Sequence, residues 1–240
     1  MAVHVRKPTR VRHMILGAGA VLFLACSSAH ARTITLASIL HQNDVSVQAM
    51  EEWKRRLEAR TNGKLTINIL PGGTLGGTRE LIQQLSSGEI DVNLSSPVDL
   101  QFAAPEYQCL EAEYIYESED HGFAVWRGKI GQEVSNAMKE RYGIEIAAVG
   151  RRGARHVTAN VPVKTPSDMT GLKMRVTNDL RAKVFASFGA QPAPLPLSEL
   201  YGALRQGVFD AQENPLSTIY SNRFHEVQKY ISLTQHVWTY

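Results

Sequence analysis

The chain has 240 residues, with 26 Lys and Arg against 23 Asp and Glu and a formal charge of +3 at pH 7. Four of the cations, Arg6, Lys7, Arg10 and Arg12, fall within residues 1–31, which hold no acid; the remaining 209 residues carry 22 cations against 23 anions, a charge of −1. A body that close to neutral lacks the sustained basic field that releases phosphate counterions, so nucleic-acid binding is excluded as its main role.

The first segment reads in the order charged, apolar, small: the four cations, the run Met14 to Ala25, then Ala29-His30-Ala31. That order is the pattern of a secretory signal peptide over residues 1–31, cleaved after Ala31, and it places the mature chain in the periplasm. The apolar run is too short to span a bilayer comfortably. A lipoprotein anchor on Cys26 is the weaker reading, because Phe23-Leu24-Ala25 lacks the small residues it requires. Cys109 is then the one remaining cysteine, read as a buried thiol acting as a small hydrophobe, with no internal disulfide.

Along the mature chain, strands and helices alternate. Thr33 to Ala37 reads as a strand, and Ser46 opens a helix with Val47, Met50, Trp53 and Leu57 along one stripe, closing near Asn62-Gly63. Leu65, Ile67 and Ile69 alternate as a second strand, Pro71-Gly72-Gly73 turns the chain, and a helix over 79–87 stops at Gly88. Ile90 to Leu94 is the third strand. A loop rich in Glu and Tyr follows, then a helix over 126–142 and a strand over 144–149.

Near Arg151-Arg152-Gly153 the pattern begins again: strand-like His156 to Ala159, a Pro-rich crossing, and extended Leu172 to Val176. A helix over 179–188, a stiff connector over 191–196, a helix over 198–206 capped by Ser198, and a strand over 208–211 complete it. Alternation of this kind predicts an α/β fold with mostly parallel sheets covered by helices on both faces. The domain boundary falls at 152/153, giving one lobe over 32–152 and a second over 153–240. Ile231-Ser232-Leu233 and His236 to Tyr240 look like strand and core instead of a frayed polar end, which suggests a chain truncated at its C-terminus.

The sequence lacks a nucleophile elbow, Walker loop, dinucleotide fingerprint, His-Glu-x-x-His helix or paired cysteines, and its five mature histidines have no ligand spacing, so neither a cofactor nor a metal is expected. The glycine-rich Gly72 to Gly77 lacks the Lys-Ser/Thr ending of a phosphate cradle and reads as a strand-to-helix turn. Glu213, Asp99 and His41 are nominal general bases for a small-acid enzyme, with nothing evident to activate them. Arg175 is the residue of greater interest. In Leu172 to Val176, alternation sends Lys173 and Arg175 to one face, where the plain reading is a solvated surface. Arg175 also stands at the carboxyl end of a strand before a helix start at Asn178, where open α/β sheets bind ligands, and a guanidinium there suits a carboxylate. Both readings stand on these residues alone.

The chain resembles the solute receptors of tripartite ATP-independent periplasmic (TRAP) transporters, a family that includes C4-dicarboxylate-binding proteins. The resemblance rests on Pro71-Gly72-Gly73-Thr74-Leu75-Gly76 with Gly88-Glu89-Ile90-Asp91, on Pro166 to Val176, on Gly207 to Pro215 and on Glu226 to Tyr230. It implies a two-lobed periplasmic-binding-protein-like fold, without catalysis, that captures a small organic acid for TRAP membrane subunits; a receptor serving a signalling system is compatible with the same residues. The resemblance implies that Arg175 clamps the carboxylate, Arg155 is a second polar anchor and Asn214 hydrogen-bonds the ligand. It draws His41, Ser96 and Asp99 into the first-lobe side of the pocket and Leu197 into its apolar wall. Sialic-acid receptors of the family look to have Glu and Arg where this chain has Ser96 and Asp99, which argues against that sugar acid. Family members typically continue past Tyr240 with a returning strand and a long helix, which adds to the expectation of truncation.

Overall fold

The first sheet is built from β1 (Arg32–Ala37), β2 (Leu65–Leu70) and β3 (Val92–Asn93), all parallel, in the order β2-β1-β3. This geometry comes from a computed structural model that describes residues 31–240; the leader read from the sequence lies outside them, apart from Ala31. Helix α1 (Val45–Arg60) joins β1 to β2 and α2 (Thr78–Ser87) joins β2 to β3. The side chain of Asp44, not Ser46, caps α1 by accepting from the Ser46 N–H. Gly88 ends α2 with φ 81°, the left-handed conformation that favours glycine.

The second sheet contains β4 (Gly153–Ala159), β5 (Lys173–Val176), β6 (Gln191–Pro194), β7 (Ala211–Pro215) and β8 (Tyr230–Thr239), in the order β6-β5-β7-β4-β8. Strand β5 runs parallel to β6 and β7, whereas β4 is antiparallel to both β7 and β8, so this sheet is mixed where alternation alone suggested a parallel one. The remaining helices are α3 (Leu100–Ala103), α4 (Glu119–Arg127), α5 (Lys129–Tyr142), α6 (Asp179–Ser187), α7 (Leu197–Arg205) and α8 (Leu216–Ser221). Among the described residues no helix is long and apolar enough to cross a membrane.

Several local expectations are corrected. The single helix read over 126–142 is two, because Gly128 adopts extended backbone and a Cβ at Gly131 would stand 1.8 Å from the Trp126 carbonyl oxygen. The strand read over 144–149 is not a strand: Ile144, Ile146 and Val149 pack on the core without a ladder partner, so their alternation reports burial and not pairing. The connector at Gln191–Pro194 is an edge strand, a position where proline is tolerated. The strand read over 208–211 begins instead at Ala211, and Pro196, not Ser198, precedes α7. Cys109 is exposed, not buried.

Apolar clusters tie the two sheets' elements together. Leu40 and Val47 from the first half share a core with Leu197, Leu200, Leu204, Phe209, Ile219 and Phe224 from the second. Tyr240 packs among Ile82, Tyr116, Trp126 and Val134.

Candidate functional site

In both sheets the loops that carry the candidate residues leave the carboxyl ends of parallel strands. His41 follows β1, the glycine turn follows β2, and Ser96 and Asp99 follow β3; Arg175 and Leu195 lie at the ends of β5 and β6. The first-sheet loops are pinned to one another by the N–H of Gly72 donating to the Leu40 carbonyl at 2.8 Å, Gly73 N–H to Ser38 at 2.9 Å, and the Ser38 hydroxyl to Leu94 at 2.8 Å. The Gly72 and Gly73 donors are thereby occupied by carbonyls, as a strand-to-helix turn requires.

Arg175 is 3 % exposed, which removes the solvated-surface reading. Its Nε and Nη2 both donate to the single carbonyl oxygen of Leu195, at 2.8 and 2.6 Å, and its Nη1 is buried without a hydrogen-bond partner. Among the described residues it forms no ion pair. Burial pushes its pKa down to about 10, with Arg155 and Arg181 acting in the same direction and Glu213 opposing, so it stays cationic near neutrality. Lys173, on the same strand, is exposed as expected.

The neighbouring cations are matched. Arg155 meets the Glu213 carboxylate through Nε and through Nη2 at 3.0 Å, and the same Nη2 reaches the Glu213 carbonyl at 2.7 Å and Asn214 Oδ1 at 3.1 Å. Arg181 pairs with Glu111 at 3.0 Å, Glu113 at 3.7 Å and Glu213 at 3.6 Å. Burial would raise the Glu213 carboxyl, but Arg155, Arg181 and His236 together hold it well below the usual carboxylate range. Burial also lowers the His236 pKa below its ordinary value, so the ring is neutral near pH 7. Its Nε2 then donates to Glu213 at 3.1 Å while Nδ1 accepts from the Thr234 hydroxyl at 2.7 Å.

Asn214 Nδ2 donates to Gln212 Oε1 at 2.6 Å, and Gln212 Nε2 donates to the Thr158 hydroxyl at 2.7 Å. The structure therefore brings Arg175, Asn214 and Arg155 onto the three adjacent strands β5, β7 and β4, in that order. Glu111 connects this cluster to the first half, since it pairs with Arg181 and its charge is felt by Asp99. Asp99 is 7 % exposed; its Oδ2 accepts from Asn93 Nδ2 at 3.0 Å and its Oδ1 has no hydrogen-bond partner. Burial pushes its carboxyl up to about 7, with Glu111 adding to the rise and Ser95 and Asn93 opposing it.

Among the described residues no hydrogen bond or ion pair joins the side chains of the other candidates to these charges. His41 Nδ1 accepts from the Asn43 N–H at 3.2 Å, Ser96 is a half-buried residue whose carbonyl accepts from Asp99 N–H at 3.1 Å, and Leu197 is buried in the core it shares with Leu40. Arg181, Glu111, Glu113 and His236 were missed by sequence reasoning. Arg181 lies in a helix with no clear polar and apolar faces, Glu111 ends a short 3-10 helix and Glu113 lies in the turn after it, so no pattern marks them as buried. A second buried pair, Arg152 with Asp44 at 3.1 Å, ties the α1 cap to Thr218 of α8. No group of three or more His, Cys, Asp or Glu among the described residues could hold a metal ion.

Residues 36–240 match the family of bacterial extracellular solute-binding proteins, family 7. The 2,3-diketo-L-gulonate-binding periplasmic protein YiaO of Escherichia coli K12 is 31% identical over 231 residues, covering 95% of this chain and 70% of that protein. A TRAP periplasmic solute-binding protein of Roseobacter denitrificans OCh 114, solved with bound L-galactonate, superposes with a TM-score of 0.80 at 33% identity over 87% of this chain and 70% of the other. Another from Sulfurospirillum deleyianum, solved with bound succinate, gives a TM-score of 0.79 at 29% identity over 86% and 67%.

Proposed function

Because the chain belongs to the bacterial extracellular solute-binding proteins of family 7, we propose that it is a periplasmic receptor in which Arg175 holds the carboxylate of a small organic acid. One observation carries this reading: a buried guanidinium with no anionic partner and an unused Nη1, beside two arginines whose carboxylates are present. A buried charge is ordinarily paired, and an unpaired one carries a desolvation cost. A ligand carboxylate would offset that cost through charge-assisted hydrogen bonds. The relatives' ligands named above, a diketo acid, an aldonate and a dicarboxylate, all bear the group this site would take.

The Leu195 carbonyl fixes the fork. With Nε and Nη2 turned toward Leu195, the plane of the guanidinium is set and Nη1 is left for the incoming oxygen. Arg155, whose Nε and Nη2 serve Glu213, would contribute its Nη1 as the second anchor, and Asn214 would complete the polar wall. His41, Ser96 and Asp99 would face the ligand from the first-sheet loops, and Leu197 would form the apolar wall. Closure of the two halves on the ligand follows from differential affinity for the closed form, because only there is the Arg175 charge both desolvated and paired. TRAP membrane subunits would read that closed form.

The reading is one of binding without turnover. Glu213 is saturated by Arg155, Arg181 and His236 and is too weak a base for proton abstraction near neutrality. A thermal-shift screen of organic acids beside their uncharged amides tests it: acids are expected to raise the melting temperature and amides to leave it unchanged. Equal shifts from acid and amide would reject the carboxylate clamp.

A further inference from the structure

Two residues in left-handed backbone meet where β8 leaves its ladder with β4. Val237 lies opposite Arg155 and Ser232 opposite Val157, so the four residues 233–236 bulge out against the single residue His156. Gln235 in this bulge has φ 47°, and Tyr114, which is bonded to the bulge, has φ 58°. Neither is glycine, so both conformations depend on the bonds that hold them. The Tyr114 N–H donates to the His236 carbonyl at 2.7 Å and its hydroxyl to the Thr234 carbonyl at 3.3 Å, while the Gln235 N–H donates to His156 Nδ1 at 3.3 Å. The bulge holds Tyr114, and His156 holds the bulge.

A backbone N–H can only donate, so Nδ1 must be the unprotonated nitrogen of the His156 ring. An imidazolium would set N–H against N–H there. Protonation of His236 would keep both of that ring's bonds, because the Thr234 hydroxyl can turn from donor to acceptor and Glu213 accepts in either case. Besides Tyr114, the charged and titratable groups on the elements around His156 are Arg155 on β4, Glu213 on β7, His236 on β8, Arg181 on α6, and Glu111 and Glu113 before α4. These are matched to one another. Helix α8, packed on the same strand, carries no charged residue. Burial lowers the His156 pKa below its ordinary value, with no charged neighbour contributing.

We propose that His156 is an acid-sensitive clasp: protonated at Nδ1 it releases the Gln235 N–H, and the bulge over 233–236 opens and lets go of Tyr114. The clasp is made above the ordinary histidine range and is given up as pH falls through the lower value of the folded chain. The same bulge delivers His236 to Glu213, which sets Arg155, so opening it withdraws support from the second ligand anchor. That consequence rests on Arg155 being a ligand anchor; the clasp itself does not.

The test is amide hydrogen exchange of the ligand-free chain, read by NMR as protection factors between pH 7.5 and 4.5, for wild type and His156→Asn. Asparagine places Oδ1 where Nδ1 stood, accepts from Gln235 and cannot be protonated in this range. Wild-type protection at Gln235 and Tyr114 should fall about tenfold or more, at the midpoint of the His156 ring signal, while amides of the β1–β2 ladder keep theirs. His156→Asn should keep both amides protected, although His236, Glu111 and Glu113 still titrate in it. Unchanged wild-type protection at pH 4.5, or loss at a midpoint other than that of the His156 ring, would overturn the clasp, and so would equal loss in His156→Asn. The wild-type series decides this even if the variant does not fold. Calorimetry with L-galactonate at the two pH values tests the consequence: affinity should fall at least about fivefold more in wild type than in His156→Asn, and equal falls would sever the clasp from the second anchor. Failure of the clasp and failure of the ligand site are read separately, the first from exchange without ligand and the second from calorimetry.

Discussion

Arg175 and Leu195 are joined by two hydrogen bonds to one oxygen, at 2.8 and 2.6 Å, and this contact, not an acid, holds the guanidinium in place. Leu195 is flanked by Pro194 and Pro196, whose rings restrict the backbone, so the carbonyl is a rigid support. Arg155 and Arg181 are held differently, each by carboxylates. The contrast separates a cation that is waiting for a partner from two that belong to the framework.

Glu213→Ala should be severely destabilising. It leaves Arg155, Arg181 and His236 without the carboxylate they share, and removing one partner of a buried ion pair costs about 3–5 kcal/mol. Urea unfolding measures the loss. A midpoint equal to that of the wild type would show that the network contributes little to stability.

Stability should depend on pH with two opposing slopes. Glu213 has a lowered pKa in the folded state, so its contribution is present above the ordinary carboxylate range and is lost as pH falls through its folded value. Asp99 is the reverse: its folded value is raised to about 7, so the folded chain holds that proton more tightly and stability declines as pH rises from about 4 to 7. Glu111 and Glu113 are also raised, chiefly by burial, and add to the decline. Melting temperatures of ligand-free wild type and Asp99→Asn across pH 4 to 8 should show a shallower decline in the variant. Identical profiles would contradict the assignment of the raised group.

Gly131→Ala should lower stability by about 1–3 kcal/mol or more, since its methyl would stand 1.8 Å from the Trp126 carbonyl oxygen and force apart the junction of α4 and α5. Thermal unfolding of the variant decides this, and unchanged melting would mean that the junction is soft.

That junction also illustrates what the sequence can convey. Ile130, Val134 and Met138 recur at helical spacing whether or not the helix is broken, so periodicity registers the shared apolar face and passes over the break at Gly128. The alternating elements, the position of Arg175 before the Asn178 cap and the glycine turn at Gly72-Gly73 were legible because local backbone chemistry specifies each. The Arg181–Glu111–Glu213 network was not, because its members are 70, 32 and 102 residues apart in pairs and meet only through tertiary packing. Alternation marked Arg175 as facing away from Met174 and Val176 but could not tell that the Leu195 segment covers that face.

The central claim is that Arg175 supplies the charge that binds the ligand, and calorimetric titration of wild type and Arg175→Ala with the carboxylate giving the largest thermal shift tests it most directly. The variant should lose about 2 kcal/mol or more of binding free energy, roughly a thirtyfold weakening. Undiminished affinity in a folded Arg175→Ala protein would contradict the account.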